Sequence, residues 1–503
     1  MSFRDSAAVV LVRGHGGSLE VFWVRRSDRV SYMPGFHAFL GGVVDREDST
    51  VTFEDLSDRA DPLRACAIRE AFEEAGVLVA LDPTSAGARA VAGASPSAVA
   101  TAPDTRAEAR RRLLAGETSF RSLAREHSWR FRAGGLVYAG RWTTPVFSAA
   151  RFDTTYYLAW VPEGQEPEVR EGELESGEWI APRDAIERWK HGDATFAAPI
   201  LYTLEELAQG EDDLAERLAM APENAGRPVR RIELKWGIVL HPMKTRPLPP
   251  ATHTNAYLVG EREMVLIDPG SGDPDEIEEL FRLIEALGQD GRRLKLILLT
   301  HHHPDHVGGG EAVRARYRVP VGAHRETASH VGADLMLKDG DEIQLASGTG
   351  DWTLRAIHTP GHARGHLCFF HPRTGSLFTG DHITGGGGTV IIDPPEGDMA
   401  AYVASLERLL KEPIGTLFPG HGSPQGAAAR RIQWLITHRR EREAKVLAAL
   451  TGNAEPLSAL VARAYADTPH ELWGYAERSL LAHLLKLEGE GRARREGDRW
   501  RIS

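Results

Sequence analysis

The sequence predicts a multidomain α/β protein, because short apolar strands alternate with helical segments along a chain too long for one core. The chain has 503 residues, a length that corresponds to about three domains. Its 42% hydrophobic and 26% charged residues are typical of a globular protein. A loop-rich segment at residues 221–228 (APENAGRP) divides the chain, and we place the main boundary there.

Charge and cysteine content narrow the possible functions. The net charge of −11 excludes general nucleic-acid binding by the whole chain, although a local basic patch is compatible with it. The two cysteines, Cys66 and Cys368, make no disulfide framework, so we expect a reducing, cytoplasmic setting. No apolar run is long enough for a transmembrane helix, and the first residues lack a signal-peptide pattern. We therefore expect no membrane partner.

Several local patterns order the first half. Residues 84–105, rich in Ala, Ser, Pro and Gly, predict a flexible insertion, which we extend to about residue 130. A helical stretch starts at Thr105, apolar segments resume near Leu136, and residues 156–161 predict a strand.

An acidic helix is predicted between Asp61 and Gly76. Asp61 suits the N-cap, Pro62 the first helical position and Gly76 the position just after the helix. At about 100° per residue, one face is apolar and the opposite face is acidic. The apolar face contains Ile68, Ala71, Phe72 and Ala75, and the acidic face contains Glu70, Glu73 and Glu74.

Three carboxylates on one helix face fit a hard divalent cation. Carboxylates this close repel one another, and a cation removes that cost. Mg²⁺ takes oxygen ligands in an octahedral shell that substrate phosphates and water can complete. Such a cation polarises a phosphoryl oxygen and helps to activate water. The alternative is a solvated acidic face that binds nothing.

The residues around these glutamates resemble the Nudix box. Residues 69–77 match Arg-Glu-apolar-x-Glu-Glu-x-Gly-apolar, and Gly41-Gly42 resembles the glycine pair that opens the box. Gly42 and Arg69 lie 27 positions apart, further than in the standard box. The resemblance implies a Nudix α/β/α fold with Mg or Mn. It implies that Arg69 orients the metal ligands Glu70, Glu73 and Glu74, of which the last two are catalytic.

Two parts of the Nudix site stay open. Asp48 lies at the standard offset of the upstream acid of the box. A further ligand or base would come from Glu173, Glu175 or Glu178, which precede Trp179. The alternative is that these three are solvated loop acids.

Other segments resemble the Nudix branch that includes coenzyme A diphosphatases. They are residues 33–35 (MPG), 41–45 (GGVVD), 142–145 (WTTP) and 151–154 (RFDT). The resemblance covers about residues 5–205, and we place this domain at residues 1–225. It implies hydrolysis of a nucleoside-linked diphosphate, with coenzyme A as one candidate substrate.

A second metal pattern follows a buried strand in the other half. Residues 264–267 and 296–299 predict short buried strands whose carboxyl ends carry functional loops. The sequence THHHPDH at residues 300–306 directly follows the second strand. Imidazole and carboxylate suit Zn²⁺ and related first-row ions. We expect His301 and His303 to face one ion, and Asp305 and His306 a second.

Three later turns complete the pattern: residues 359–362 (TPGH), 378–381 (FTGD) and 418–421 (FPGH). Together with the first loop they resemble the metallo-β-lactamase superfamily, which implies an αββα sandwich and two Zn ions (or Mn/Fe). By this resemblance the first ion is held by His301, His303 and His362, the second by Asp305, His306 and His421, and Asp381 bridges both. Asp268 would support a ligand histidine.

The chemistry implied is hydrolysis by a hydroxide between two cations, with Asp305 and Asp381 as catalytic residues. A bridged pair lowers the pKa of a shared water and stabilises a developing oxyanion. The alternative is a structural or storage metal cluster. For His302 and His366, substrate contact and a structural role stay open, and we expect His253, His358 and His382 to be structural.

The branch is indicated by residues 254–259 (TNAYLV), and by 380–383 (GDHI) followed by four glycines. These resemble the lactamase-beta-like-2 group, which includes a single-strand endoribonuclease. The leucine-rich helical end with Trp500 resembles the winged helix of that group. We place the metallo-β-lactamase-fold domain at residues 226–436 and the winged helix at 437–503.

Basic residues near the end offer a nucleic-acid surface or a solvated mixed-charge tip. The basic residues are Lys486, Arg492, Arg494, Arg495 and Arg499, and the acids among them are Glu488, Glu490, Glu496 and Asp498.

The sequence therefore predicts a bifunctional metal-dependent hydrolase acting on nucleotide or coenzyme A substrates. For the second half, cleavage of single-stranded RNA competes with a glyoxalase II-like thioesterase acting on acyl-coenzyme A. A nucleotide- or RNA-binding regulator with one inactive site is the alternative outside enzymes.

Overall fold

The computed structural model describes residues 3–82, 89–90, 99–100, 103–145, 148, 150–221, 231–249, 251–386 and 388–503. The chain forms two compact units, Met1–Lys235 and Trp236–Ser503. The predicted boundary near residue 225, most of the predicted insertion at 84–105, and Gly387 lie outside the described residues. The domain limits remain predictions.

The first unit combines a mixed sheet with helices. Its strands are β1 Arg4–Arg13, β2 Glu20–Arg26, β3 His37–Ala38, β4 Leu40–Val43, β5 Thr52–Phe53, β6 Arg59–Ala60, β7 Arg89–Ala90, β8 Val99–Ala100, β9 Val137–Thr143, β10 Phe152–Trp160, β11 Leu174–Ile180 and β12 Ile232–Lys235. Its helices are α1 Pro62–Ala75, α2 Pro103–Leu114, α3 Phe120–Glu126, α4 Pro182–His191, α5 Ala198–Ala208 and α6 Leu214–Ala219.

Helix α1 lies against the central sheet of this unit. The sheet order is β11-β2-β1-β10-β9, with β4 paired to β1 and with β1 and β10 parallel. Ile68 and Phe72 of α1 share a buried cluster with Val9 of β1 and Leu40 of β4. The Asp61 carboxylate accepts a hydrogen bond from the Arg64 amide, and the chain leaves the helix in the left-handed region just after Ala75. The predicted helix is confirmed with both of its ends.

The second unit contains two larger sheets and a small one. Its strands are β13 Ile238–Lys244, β14 His253–Gly260, β15 Glu263–Ile267, β16 Arg293–Leu298, β17 Val321–His324, β18 Leu335–Leu337, β19 Glu342–Leu345, β20 Trp352–His358, β21 Leu367–His371, β22 Ser376–Gly380, β23 Thr416–Pro419, β24 Glu455–Pro456, β25 Ala493–Glu496 and β26 Arg499–Ile502. Its helices are α7 Pro274–Gln289, α8 Pro304–Val307, α9 Gly310–Tyr317, α10 Arg325–Val331, α11 Met399–Leu409, α12 Ala428–Ala449, α13 Leu457–Ala464 and α14 Trp473–Gly489.

Two of these sheets face each other, as the predicted sandwich requires. One runs from β13 to β18 in chain order and the other from β19 to β23. Tyr257 of β14 packs edge-on against Phe378 of β22 and Phe418 of β23, with ring centroids 5.2 and 5.7 Å apart. On the outer faces, α7 and α9 cover the first sheet, and α11 and α12 cover the second. The αββα arrangement is confirmed.

A helical end with a small sheet closes the chain. The sheet order is β24-β26-β25, and Trp500 of β26 is buried with Leu480 and Leu484 of α14. Helix α12 runs through residue 436, where we predict the start of this domain. Among the described residues, no helix combines the length and the apolar character needed to span a bilayer.

Candidate functional site

Four loops at the carboxyl ends of strands bring the predicted ligands of the second unit together. Residues 301–306 follow β16, His362 follows β20, Asp381 follows β22 and His421 follows β23. Two groups result, and within each group the candidate ligand atoms lie within 4.8 Å of one another. One group is His301, His303, His362 and Asp381, and the other is Asp305, His306 and His421.

Asp381 faces both groups with different oxygens. Its Oδ1 lies 3.3 Å from Nε2 of His306 and 3.3 Å from Nε2 of His421. Its Oδ2 lies 3.8 Å from Nε2 of His362. A buried carboxylate with one oxygen directed to each group is suited to bridge two cations.

The nitrogen spacing tests whether a first-row ion fits the first group. Nδ1 of His303 lies 3.0 Å from Nε2 of His301 and 3.1 Å from Nε2 of His362. Tetrahedral coordination with Zn–N bonds of about 2.0–2.1 Å places nitrogens about 3.3 Å apart. Three imidazole nitrogens converging at this spacing therefore fit such an ion.

Outer partners orient four of the five candidate ligand histidines through the ring nitrogen that faces away from the centre. Asp268 takes this role for His306, as predicted, with Oδ2 2.8 Å from Nδ1. The other contacts are His301 Nδ1 with Thr300 Oγ1 at 2.9 Å, His362 Nδ1 with the Ile391 carbonyl at 3.1 Å, and His421 Nδ1 with the His253 carbonyl at 2.8 Å. Such contacts select the tautomer that leaves the inner nitrogen free to bind a metal.

The electrostatics of the centre favour positive charge beside Asp381. Burial opposes ionisation of Asp381, but the charges of His421 and His306 hold the pKa of the carboxyl well below its usual range. Burial lowers the pKa of His421, yet Asp381 and Asp305 together raise it to about 10. A bound cation would take the place of these protons.

The remaining histidines lie around the centre. His302 stacks on His330, with centroids 4.0 Å apart, and its Nε2 lies 3.4 Å from Glu396 Oε1. His366 is fully buried, and its Nδ1 lies 2.9 Å from Thr359 Oγ1.

In the first unit, Arg69 organises the acidic residues of α1. Its Nη1 donates to Glu70 Oε1 at 2.7 Å and to Glu73 Oε2 at 3.1 Å. Its Nε and Nη2 donate to the two oxygens of buried Asp48 at 2.9 and 3.0 Å. Asp48 therefore holds Arg69 and, through it, the glutamates.

The glycine pair lies directly against the glutamates. The Gly41 amide donates to Glu74 Oε2 at 2.8 Å, and a Cβ on Gly42 would lie 2.3 Å from Glu70 Oε1. Burial raises the pKa of Glu70 to about 7, partly opposed by Arg69 and reinforced by Glu73. Burial and the charge of Glu70 raise the pKa of Glu74 as well. Desolvated carboxylates that repel one another fit a divalent cation, and they do not form a solvated face.

The three acids that precede Trp179 differ in their surroundings. Glu175 pairs with Arg25, and Glu178 Oε1 lies 2.6 Å from Arg188 Nη1. Burial is the largest cause of the raised pKa of both Glu70 and Glu74. The charge of Glu173 is a further, smaller cause for both.

A cavity of 240 Å³ adjoins Glu73 and Arg69. Its other walls come from the segment before α1, the end of α2, the start of α3 and the turn between these two helices. They are Asp45, Glu47, Asp48, Val51, Leu113, Thr118, Ser119, Phe120 and Arg121.

Two of the five basic residues predicted at the C-terminal end, Lys486 and Arg492, are paired with acids. Lys486 Nζ lies 2.7 Å from Glu443 Oε2 and 2.6 Å from Glu490 Oε1. Arg492 Nη1 contacts the same two acids at 3.4 and 3.2 Å. These contacts favour the mixed-charge interpretation of this end.

Two residues near the sites were not identified from the sequence patterns. Arg110 of α2 donates to the carbonyls of Glu73 and Glu74 at 3.0 and 2.7 Å, closing the end of α1. Glu396 lies beside His302 and His303. Both are single charged residues outside any motif, so local sequence contains no signal for them.

Comparison with known families matches three parts of the chain. The metallo-β-lactamase superfamily model matches residues 249–421. The NUDT19 Nudix domain model matches residues 57–207, and the β-lactamase-associated winged helix model matches residues 457–500.

Relatives and solved structures match parts of the chain as well. A β-lactamase-like protein 2 homolog of Drosophila melanogaster is 32% identical over 254 residues, 48% of this chain and 84% of that protein. An atrochrysone carboxyl ACP thioesterase of Aspergillus chevalieri is 32% identical over 198 residues, 39% of this chain and 60% of that protein. A metallo-β-lactamase family protein from Thermus thermophilus is 25% identical with a TM-score of 0.45, over 53% of this chain and 99% of that one. A Nudix hydrolase from Alicyclobacillus acidocaldarius is 28% identical with a TM-score of 0.36, over 44% of this chain and 99% of that one.

Proposed function

Because the chain belongs to the metallo-β-lactamase superfamily, with a NUDT19-type Nudix domain before it and a winged helix after it, we propose that it is a bifunctional hydrolase with two metal centres. The two centres use different metals and cleave different bonds. The observation that carries the proposal is the position of Asp381, whose two oxygens face the two histidine groups of the second unit.

The first centre cleaves a nucleoside-linked diphosphate, with coenzyme A as the leading candidate. Glu70, Glu73 and Glu74 hold the cation, and Arg69 fixes their carboxylates. Mg²⁺ or Mn²⁺ bound there would polarise a phosphoryl oxygen. Glu173 is the candidate for a further ligand or base, and its contribution to the raised pKa of both Glu70 and Glu74 supports this choice. The adjoining cavity gives room for a part of the substrate beyond the diphosphate.

The second centre hydrolyses a thioester, for which acyl-coenzyme A is the candidate. Two Zn ions (or Mn/Fe) would supply Lewis-acid polarisation and an activated water. One ion would be held by His301, His303 and His362, the other by Asp305, His306 and His421, and Asp381 would be shared between them. Support comes from the relative named as an ACP thioesterase and from the coenzyme A type of the Nudix branch. A thioesterase and a diphosphatase in one chain would then act on one class of molecule.

Single-stranded RNA is the second candidate for this centre. The winged helix favours it, since this type of domain contacts nucleic acid in other proteins. The ion pairs of Lys486 and Arg492 with Glu443 and Glu490 reduce the positive charge that RNA binding needs.

A substrate panel on the intact chain tests the assignment. It contains coenzyme A, acyl-coenzyme A, nucleoside diphosphate derivatives and short single-stranded RNA. Glu73→Gln with Glu74→Gln should abolish diphosphatase turnover and spare the second activity, whereas Asp381→Ala should do the reverse. The matched controls are Glu163→Gln and Asp498→Ala, both at exposed positions.

Each half of the proposal fails on its own result. Unchanged Mg²⁺-dependent turnover in the Glu73→Gln, Glu74→Gln double variant would refute the proposed first centre. Wild-type rates in Asp381→Ala would refute the proposed second centre. A regulator without activity would turn over no substrate and would lack two transition ions per chain.

A further inference from the structure

One loop of the second unit reaches two of the candidate ligand histidines. This loop, residues 390–398, is called the strap here. The Ile391 carbonyl lies 3.1 Å from Nδ1 of His362. Six residues from the strap's start, Glu396 places Oε2 3.7 Å from Nε2 of His303. The strap therefore faces the outer side of the first metal group at two points.

Arginines from three other parts of the unit hold the strap in place. Arg439 of α12 donates to the Val390 carbonyl, and Arg364 donates to the Pro395 carbonyl at 2.8 Å. Arg478 of α14 lies 2.5 Å from the Asp393 carboxylate. A chain held at three positions along its length keeps Glu396 near His303.

The turn that presents Glu396 is tight. The Gly397 amide donates to the Asp393 carbonyl at 2.8 Å, and a Cβ on Gly397 would lie 2.4 Å from the Asp393 amide nitrogen. A side chain at that position would open the turn, so glycine is needed directly after Glu396.

His303 is the ligand histidine that still needs an outer partner. It directs Nδ1 to the centre, so in the neutral ring the proton is on Nε2. The group facing Nε2 is Glu396, just as Asp268 faces the outer nitrogen of His306. At 3.7 Å the Glu396 carboxylate is within ion-pair range of Nε2 and beyond hydrogen-bond distance, so its charge favours the tautomer with the proton on Nε2 and raises the basicity of the ligand nitrogen.

We propose that Glu396 is a positioning residue of the second centre, which orients His303 through Oε2 and the neighbouring His302 through Oε1. The His302 contact is 3.4 Å long, and His302 is itself stacked on His330. One carboxylate thus spans two adjacent rings of the ligand loop. The inference rests on the proposed function, because it assumes a metal ion at His303.

The test measures metal affinity in the full chain carrying Glu73→Gln and Glu74→Gln, so that ions bind at the second centre alone. Glu396→Gln keeps the shape and removes the charge, and Glu396→Asp keeps the charge on a shorter side chain. The control is Glu407→Gln, since Glu407 forms an exposed pair with Arg440. Zinc affinity is read by chelator competition, and ligand geometry by the visible absorption of the cobalt-loaded protein.

We expect Glu396→Gln to lower the affinity for one zinc ion about 10- to 100-fold and to change the absorption spectrum of the cobalt-loaded protein. Glu396→Asp should recover part of the affinity, and Glu407→Gln should match the parent. Equal affinity and spectra for Glu396→Gln would overturn the inference while leaving the dinuclear centre intact. Binding of three ions, reduced to two by Glu396→Gln, would also overturn it, because Glu396 would then be a metal ligand. Fewer than two bound ions in the parent chain would refute the proposed dinuclear centre, and with it the proposed function.

Discussion

Oδ2 of Asp268 lies 2.8 Å from Nδ1 of His306, and this contact leaves the opposite nitrogen of the ring directed at Asp381. Asp268 also accepts hydrogen bonds from the amide and hydroxyl of Thr300, at 2.8 and 2.6 Å. Its φ of 49° is in the left-handed region, which Asp and Asn tolerate better than other side chains do. The carboxylate thus connects the end of β15 with the ligand loop after β16.

Asp268→Asn should lower the affinity of the second centre for one metal ion about 10- to 100-fold. The amide keeps the backbone conformation. Its NH₂ group, however, would face the hydrogen-bond donors of Thr300 and His306, from which the carboxylate now accepts. Metal content after dialysis and chelator competition measure the effect. Asp273→Asn is the matched control, because Asp273 caps α7 and Asn caps helices equally well. Equal affinities in both variants would show that Asp268 has no part in holding His306.

Gly42→Ala should disable the first centre without changing the second. The new Cβ would lie 2.3 Å from Glu70 Oε1, so the carboxylate must move. A misplacement of about 1 Å at a catalytic site can cost about 100-fold in rate. Mg²⁺-dependent diphosphatase rates check this result, with Gly17→Ala as control, since a Cβ there meets nothing within 4 Å. Full activity of Gly42→Ala would argue against Glu70 as a ligand.

Glu443 should make the stability of the C-terminal end depend on pH. Burial opposes its ionisation, but His483, whose Nδ1 lies 3.8 Å away, and the Lys486 ammonium 2.7 Å away together lower its pKa to about 2. A carboxylate with a folded pKa below its unfolded value of about 4.3 adds stability above that value. This contribution is lost as the pH falls from about 4.3 towards 2.

Glu443→Gln should therefore lower the unfolding free energy at pH 7 by about 1.5–3 kcal/mol, the usual worth of hydrogen bonds to a charged group. The difference from the parent should shrink below pH ~4.3, which scanning calorimetry across pH 7 to 3 can follow. Glu488→Gln, at an exposed position of α14, should leave the curve unchanged. A difference that stays constant over this range would contradict the assigned pairing.

Both cysteines should be free and unreactive in the folded chain. Cys66 and Cys368 are fully buried and unpaired. Burial raises the pKa of both thiols, that of Cys368 to about 12. A thiol reagent at pH 8 should label neither residue in the folded protein and both after unfolding without reductant. Labelling of fewer than two thiols in the unfolded chain would show that a disulfide had formed.

Patterns that depend on neighbours in sequence were predictable. The limits of α1 follow from Asp61, Pro62 and Gly76, because caps act within one helical turn. The buried strands before the ligand loops follow from their apolar runs. The sandwich and the Nudix fold followed from the resemblance of whole motifs to known families.

The sequence by itself determined which residue types stand at the strand ends, and so which chemistry the chain can support. Only the tertiary structure decided which side chains meet: that Asp48 holds Arg69, that Glu175 pairs with Arg25, and that Glu396 faces His303. These contacts join residues far apart in the chain. Such pairs arise from the packing of sheets and loops, and no local pattern of charge or hydrophobicity encodes them.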